Sequence, residues 1–262
     1  MLRRLRLSVR DAKRNDLHGG TLMDVTRTTS SAPASTGIVL VPGFMLNRRL
    51  WTDVEPELGR FQPLVFPEIG REVSIEGEAR QALRIAPPRF ALIGFSMGGY
   101  IAREIARLAP ERVSRLVLVA TSARGDSDLQ ASRKLVAATA TVNAYKGVSR
   151  RAIRRSLAPD RETDTDLVER IHAMSIEMGG DVFRHQAGYH RKGDEDRLHQ
   201  IQCPTLVIAG EKDRLRSLDE ARELRDGIPG ARLATLNTGH MIPLEAPHEL
   251  ATLVASFLDE QV

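Results

Sequence analysis

A single cysteine, Cys203, stands in the 262 residues, and its isolation excludes a disulfide framework and any cysteine-based metal cluster. No apolar run approaches the length of a membrane-spanning helix. A dinucleotide fingerprint, a Walker motif and a His-Glu-x-x-His pair are also missing, so neither metal nor cofactor is expected. Net positive charge is confined to one end. The formal net charge is +4, yet residues 1–36 hold seven Lys/Arg against three Asp/Glu, leaving 31 of each sign for the remainder. A formally neutral body offers no electrostatic footprint for nucleic acid, and none is expected as a partner.

At 42% hydrophobic and 27% charged residues the chain can bury a substantial core. The basic stretch 1–36 begins with four arginines in its first ten residues and has no continuous apolar segment of signal-peptide type. It ends in the linker-like Ser30-Ser31-Ala32-Pro33-Ala34-Ser35-Thr36. A disordered N-terminal tail is expected there, with an organellar transit peptide or a start at Met23 as alternatives, and a cytoplasmic location for the folded part.

From Gly37 onward strands alternate with helices. Strands are expected at 38–41, 63–66, 89–95, 113–120, 205–209 and 231–236, and helices at 48–58, 74–85, 100–109, 218–225 and 247–258. Such alternation predicts an α/β fold with a mostly parallel, doubly wound sheet. It is interrupted over 122–200, where helices are expected at 131–144, 148–157, 164–177 and 181–189, broken at Pro159, Gly179-Gly180 and Gly193. This block reads as a helical lid inserted before the last two strands, over the strand ends where open α/β sheets bind ligands. Its scarcity of large apolar residues predicts modest burial and easy movement.

Gly94-Phe95-Ser96-Met97-Gly98-Gly99 joins the apolar run 89–95 to a helix with Ile101, Ile105 and Leu108 on one face. Ser96 therefore sits on a sharp strand-to-helix turn, a nucleophile elbow whose flanking positions must lack a Cβ. A serine nucleophile needs a base and an acid that orients the base. His240 follows the strand at 231–236 and Asp213 follows the strand at 205–209, both on the sheet edge that carries Ser96. Asp126 and Asp128, after the strand at 113–120, and Glu211 are the alternative acids. His172, His185, His190, His199 and His248 read as solvated or lid residues, and His18 lies in the tail.

Pro42-Gly43-Phe44, the elbow, Gly210-Glu211-Lys212-Asp213 and Gly239-His240 through Pro243-Leu244-Glu245-Ala246-Pro247 together resemble the α/β-hydrolase superfamily, in its small lidded serine-hydrolase and esterase branch. The resemblance covers 37–262. It implies Ser96 as nucleophile, Asp213 as acid, His240 as base, and the backbone N–H groups of Phe44 and Met97 as the oxyanion hole. It also implies a carboxylic-ester hydrolase acting on a small-molecule acyl substrate without a cofactor, with lactonase, thioesterase or perhydrolase activity, or a non-catalytic binding protein, as alternatives. Two departures stand out. Pro42 occupies the place where the family commonly has His, and the stretch between Phe66 and Arg89 is short, lacks the usual Asp-x-x-Gly-x-Gly turn and predicts a more open entrance. Met45 and Met241, with Phe44 and Met97 beside the chemistry, are expected to make the substrate pocket apolar and adaptable.

Overall fold

The computed structural model describes residues 37–127 and 145–260, with the isolated positions 132 and 136. The expected tail 1–36, Asp128 and nearly all of the helix expected at 131–144 lie outside the described residues. Six strands, β1 (Gly37–Val41), β2 (Leu64–Val65), β3 (Phe90–Phe95), β4 (Val113–Val119), β5 (Thr205–Gly210) and β6 (Arg232–Leu236), form one sheet in the order β2-β1-β3-β4-β5-β6. Every neighbouring pair is parallel. β1, β3 and β5 are buried at every position, because a parallel strand covered on both faces must be apolar throughout.

Helices α1 (Glu55–Leu58), α2 (Ile75–Ile85), α3 (Met97–Leu108), α4 (Arg150–Ser156), α5 (Thr165–Gly188), α6 (Leu218–Gly227), α7 (Ile242–Glu245) and α8 (Pro247–Asp259) complete the described elements, with short 3-10 turns between them. Alternation along the strands sorts the core into two layers. Ile38, Leu40, Ile93, Val117 and Ile208 face one cluster, shared with α8, while Val39, Val41, Leu92, Leu118 and Val207 face the other, shared with α2, α3 and α6.

Local chemistry accounts for where the elements begin and break. The side chains of Ser74, Ser149, Asp164 and Ser217 cap α2, α4, α5 and α6, and Ser217 forms a capping box with Glu220. The helix expected over 48–58 is instead a 3-10 turn at Arg48–Trp51 followed by α1, with Pro56 in its first turn. The strand expected at 63–66 is only two residues long. Helix α5 runs across both segments expected for the block but is kinked at Gly179, whose φ of 81° is non-helical.

The block also differs from expectation in its burial. Ile153, Leu157, Leu167, Val168, Ile171 and Met174 join the same core cluster as the sheet, so its described part is packed into the body. Asp194, near its end, accepts from Arg103 Nε at 2.9 Å, Arg103 Nη2 at 2.8 Å and Arg107 Nη1 at 2.9 Å, pinning the block to α3. No described helix is long and apolar enough to cross a membrane.

Candidate active site

The strand order reverses at β1, which pairs with β2 on one side and β3 on the other. The loops leaving β1 and β3 diverge there, opening a crevice at the carboxyl ends of the strands. Ser96 leaves β3 with φ 51° and ψ −114°, a conformation of a kind that costs on the order of 1–3 kcal/mol. The surroundings hold it in place: Ser96 N–H donates to the Val119 carbonyl at 2.8 Å, and Thr121 Oγ1 donates to the Ser96 carbonyl at 2.7 Å. A Cβ at Gly98 would lie 2.4 Å from the Val41 carbonyl oxygen, and one at Gly94 would lie 2.6 Å from the Ala102 Cβ. The turn therefore closes only on glycine at both positions.

His240 and Asp213 converge on this serine. His240 Nε2 lies 2.8 Å from Ser96 Oγ, and His240 Nδ1 lies 2.7 Å from Asp213 Oδ2. An ionised carboxylate only accepts, so Nδ1 carries the proton and Nε2 is left to accept from the serine hydroxyl. The other Asp213 oxygen accepts the N–H groups of Leu215 at 2.7 Å and Arg216 at 2.9 Å, which fixes the carboxylate's orientation. The side chains of His240 and Asp213 are almost fully buried, and the Phe95 ring packs against the imidazole at 5.3 Å between centroids.

Two of the alternative acids, Glu211 and Asp126, are engaged elsewhere. Glu211 accepts from Thr235 Oγ1 at 2.8 Å, and Asp126 pairs with Arg191 at 3.1 Å. Among the other histidines, His172 and His185 hydrogen-bond the Val148 and Gly70 carbonyls, and His248 pairs with Glu57. The described residues contain no group of three or more His, Cys, Asp or Glu that could hold a metal ion. Burial pushes the half-buried Cys203 thiol up to about 11, against a weaker pull from Thr205, so it stays protonated and unreactive near neutral pH.

Phe44 lies on the loop after β1, and Met97 begins α3 directly after Ser96. Among the described residues neither backbone N–H has a hydrogen-bond partner, as the first turn of a helix leads one to expect for Met97. Met45, next to Phe44, holds a positive φ of 55°. Its N–H donates to Gln186 Oε1 of α5 at 2.8 Å, while Gln186 Nε2 donates to the Ile69 carbonyl at 3.0 Å. The short connection before Arg89 is held against α5 by Gln186 and His185.

Glu245 makes an equivalent clamp on the other loop. Its Oε1 accepts the Met241 N–H at 3.0 Å, and its Oε2 accepts those of Gly239 at 3.1 Å and Ala158 at 2.8 Å. The His240 N–H donates to the Ser156 carbonyl at 2.8 Å. Gly239 is pressed so closely onto this segment that a Cβ there would lie 2.3 Å from the Ala158 nitrogen. Reasoning from sequence missed Gln186 and gave Glu245 no role. The only sign of the former is a polar residue between the apolar positions Val182, Phe183 and Ala187.

A cavity of about 610 Å³ opens over Ser96 and His240. Met45 and Met241 line it, with Phe44, Phe183 and Ile153. Met97 does not; it is buried in the core layer beneath.

Sequence comparison bears directly on this arrangement. A family model described as alpha/beta hydrolase fold matches residues 74–247, which include Ser96, Asp213 and His240. The chain belongs to the α/β-hydrolase fold family. Within that family, it is 32% identical over 177 residues to a poly(3-hydroxyalkanoate) depolymerase of Ectopseudomonas oleovorans, covering 65% of this chain and 61% of that protein. It is 37% identical over 93 residues to a pimeloyl-[acyl-carrier protein] methyl ester esterase of Klebsiella pneumoniae, covering 32% of this chain and 36% of that one. The chain thus spans less than two thirds of the length of these curated relatives. Among solved structures, a thermophilic esterase from Thermogutta terrifontis superimposes with a TM-score of 0.75 at 23% identity, over 86% of this α/β-hydrolase and 90% of that chain.

Proposed function

We propose that this α/β-hydrolase is a serine esterase that cleaves small-molecule carboxylic esters through an acyl-enzyme. The observation that carries the reading is the unbroken hydrogen-bond chain from Ser96 through His240 to Asp213. Two relatives, one named a depolymerase of a polyester and the other a methyl ester esterase, support ester bonds as the target.

Ser96 Oγ attacks the ester carbonyl while His240 Nε2 takes its proton, and Asp213 stabilises the imidazolium that forms. The tetrahedral oxyanion is received by the N–H groups of Phe44 and Met97, which have no other partner among the described residues. His240 returns the proton to the departing alcohol. Water, activated by the same histidine, then attacks the acyl-enzyme, releasing the acid and restoring Ser96. The helical block 122–200 acts as the lid of the site, and 37–262 as the catalytic domain.

Covalent labelling by a fluorophosphonate, together with turnover of p-nitrophenyl esters, tests the reading. Ser96→Ala abolishes labelling and lowers kcat by about 10⁴ to 10⁶. The fold is retained, because the elbow accommodates a small side chain. Ester turnover surviving in folded Ser96→Ala would refute it. Absence of both labelling and turnover in the unaltered protein would leave a binding protein on a hydrolase scaffold.

A further inference from the structure

The cavity over Ser96 is mostly apolar, but every full charge on its wall is positive. Arg155, Arg191 and Arg216 line it, and no Asp or Glu among the described residues does. Two of the three are neutralised from behind: Arg191 pairs with Asp126 at 3.1 Å and Arg216 with Glu220 at 3.1 Å. Arg155, on α4, has no carboxylate within ion-pair reach among the described residues, although its helix neighbour Arg150 is paired with Glu169. Arg155 thus brings to the cavity lining an exposed guanidinium that has no carboxylate partner among the described residues.

An uncharged acyl chain would lie against that cation without answering it, whereas a carboxylate would meet its planar fork in two charge-assisted hydrogen bonds. A single unmatched positive charge calls for a single negative one. A dianionic phosphate would leave charge over. The same cavity is lined by apolar side chains including Ile153, Ile171 and Met241, which suit methylene groups rather than polar ones.

We propose that the substrate is a carboxylic ester whose acyl chain ends in a carboxylate, the half-ester of a dicarboxylic acid, and that Arg155 binds the free carboxylate while Ser96 attacks the ester at the other end. The inference rests on the esterase reading for its chemistry, but the anion site can be tested without turnover.

Two measurements decide the matter. In the first, kcat/KM is compared for monomethyl octanedioate and methyl octanoate, which share chain length and differ in the terminal charge. The full-length protein prefers the half-ester by tenfold or more, and Arg155→Gln lowers kcat/KM for the half-ester at least tenfold more than for methyl octanoate. Arg155→Lys restores part of the preference. Arg151→Gln removes the same charge one turn away, outside the cavity lining, and leaves the preference in place. No preference in the unaltered protein, or equal losses on both esters in Arg155→Gln, overturns the proposal.

In the second, calorimetry measures octanedioate binding, which involves no bond cleavage. Binding weakens at least tenfold in Arg155→Gln. No detectable binding, or equal binding by both proteins, overturns the anion site. Arg155-dependent binding without turnover of either ester would sink the esterase reading and leave the anion site standing. Turnover of methyl octanoate without a half-ester preference would do the reverse.

Discussion

Gln186 Oε1 accepts the Met45 N–H at 2.8 Å across 141 residues of chain. Met45 sits at a positive φ on the loop that carries Phe44, so an amide from α5 holds a strained turn beside one of the two proposed oxyanion donors. Gln186→Leu frees that turn and leaves the Met45 N–H buried without an acceptor. Losing one oxyanion donor outright costs about 10²–10³ in kcat. Misplacing one is expected to cost roughly tenfold or more, with KM little changed. Gln186→Glu keeps an acceptor for Met45 and retains more activity than Gln186→Leu. Steady-state kinetics on a p-nitrophenyl ester, with thermal unfolding to verify folding, checks the order.

Asp213→Asn keeps an acceptor for the Leu215 and Arg216 N–H groups but no longer fixes the His240 tautomer. A fall in kcat on the order of 10⁴ is expected, whereas Glu211→Gln and Asp126→Asn change kcat little. A mild Asp213→Asn beside a severe effect at either of the others would move the acid to that residue.

Glu245 grips N–H groups on both sides of His240 and one in the helical block. Glu245→Gln replaces one accepting oxygen with a donor, so at least one buried N–H loses its acceptor, at a cost of about 1–3 kcal/mol of stability. The imidazole is also held less firmly, so kcat falls while the thermal transition drops. Chemical denaturation and kinetics on the same preparation check both. Unchanged kcat in a destabilised protein would show that the clamp serves folding alone.

Asp194 is the buried hub between α3 and the helical block. Burial opposes its charge, but Arg103 and Arg107 outweigh burial and hold the carboxyl below the usual carboxylate range. A depressed folded-state value stabilises the fold above the unfolded pKa of about 3.9, and that stability is lost as pH falls through the lower folded value. Asp194→Asn leaves the buried Arg103 guanidinium without its anion, while Arg107 keeps Glu104, at about 3–5 kcal/mol. Its stability is also expected to fall less steeply than that of the unaltered protein on acidification from about pH 5 to pH 2. Urea unfolding across that range measures both effects.

The features legible in the sequence are those written locally. The elbow announces itself because strand, glycine pair and helix are contiguous, and Asp213 and His240 are found because each immediately follows a strand. Gln186 and Glu245 were not legible as clamps, since each acts on backbone groups far away in the chain or in another element. Ile153, Leu157 and Ile171 are spaced too widely among arginines to reveal how deeply the helical block is buried. The extent of α1 and β2 was overestimated because Pro56 and the short pairing of Leu64 and Val65 override the apolar pattern.

The contact between Gly239 and Ala158 limits what can be exchanged on this scaffold. The helical block, proposed as the lid of the site, completes the hydrogen bonds of the histidine loop with its backbone at Ser156 and Ala158. A chimaera that imports a foreign lid inherits a gap behind His240 unless the donor presents a carbonyl and an N–H at the same two places. The natural cutting points for such grafts therefore lie beyond this junction, with Ser156–Ala158 travelling alongside the sheet rather than with the helices above it.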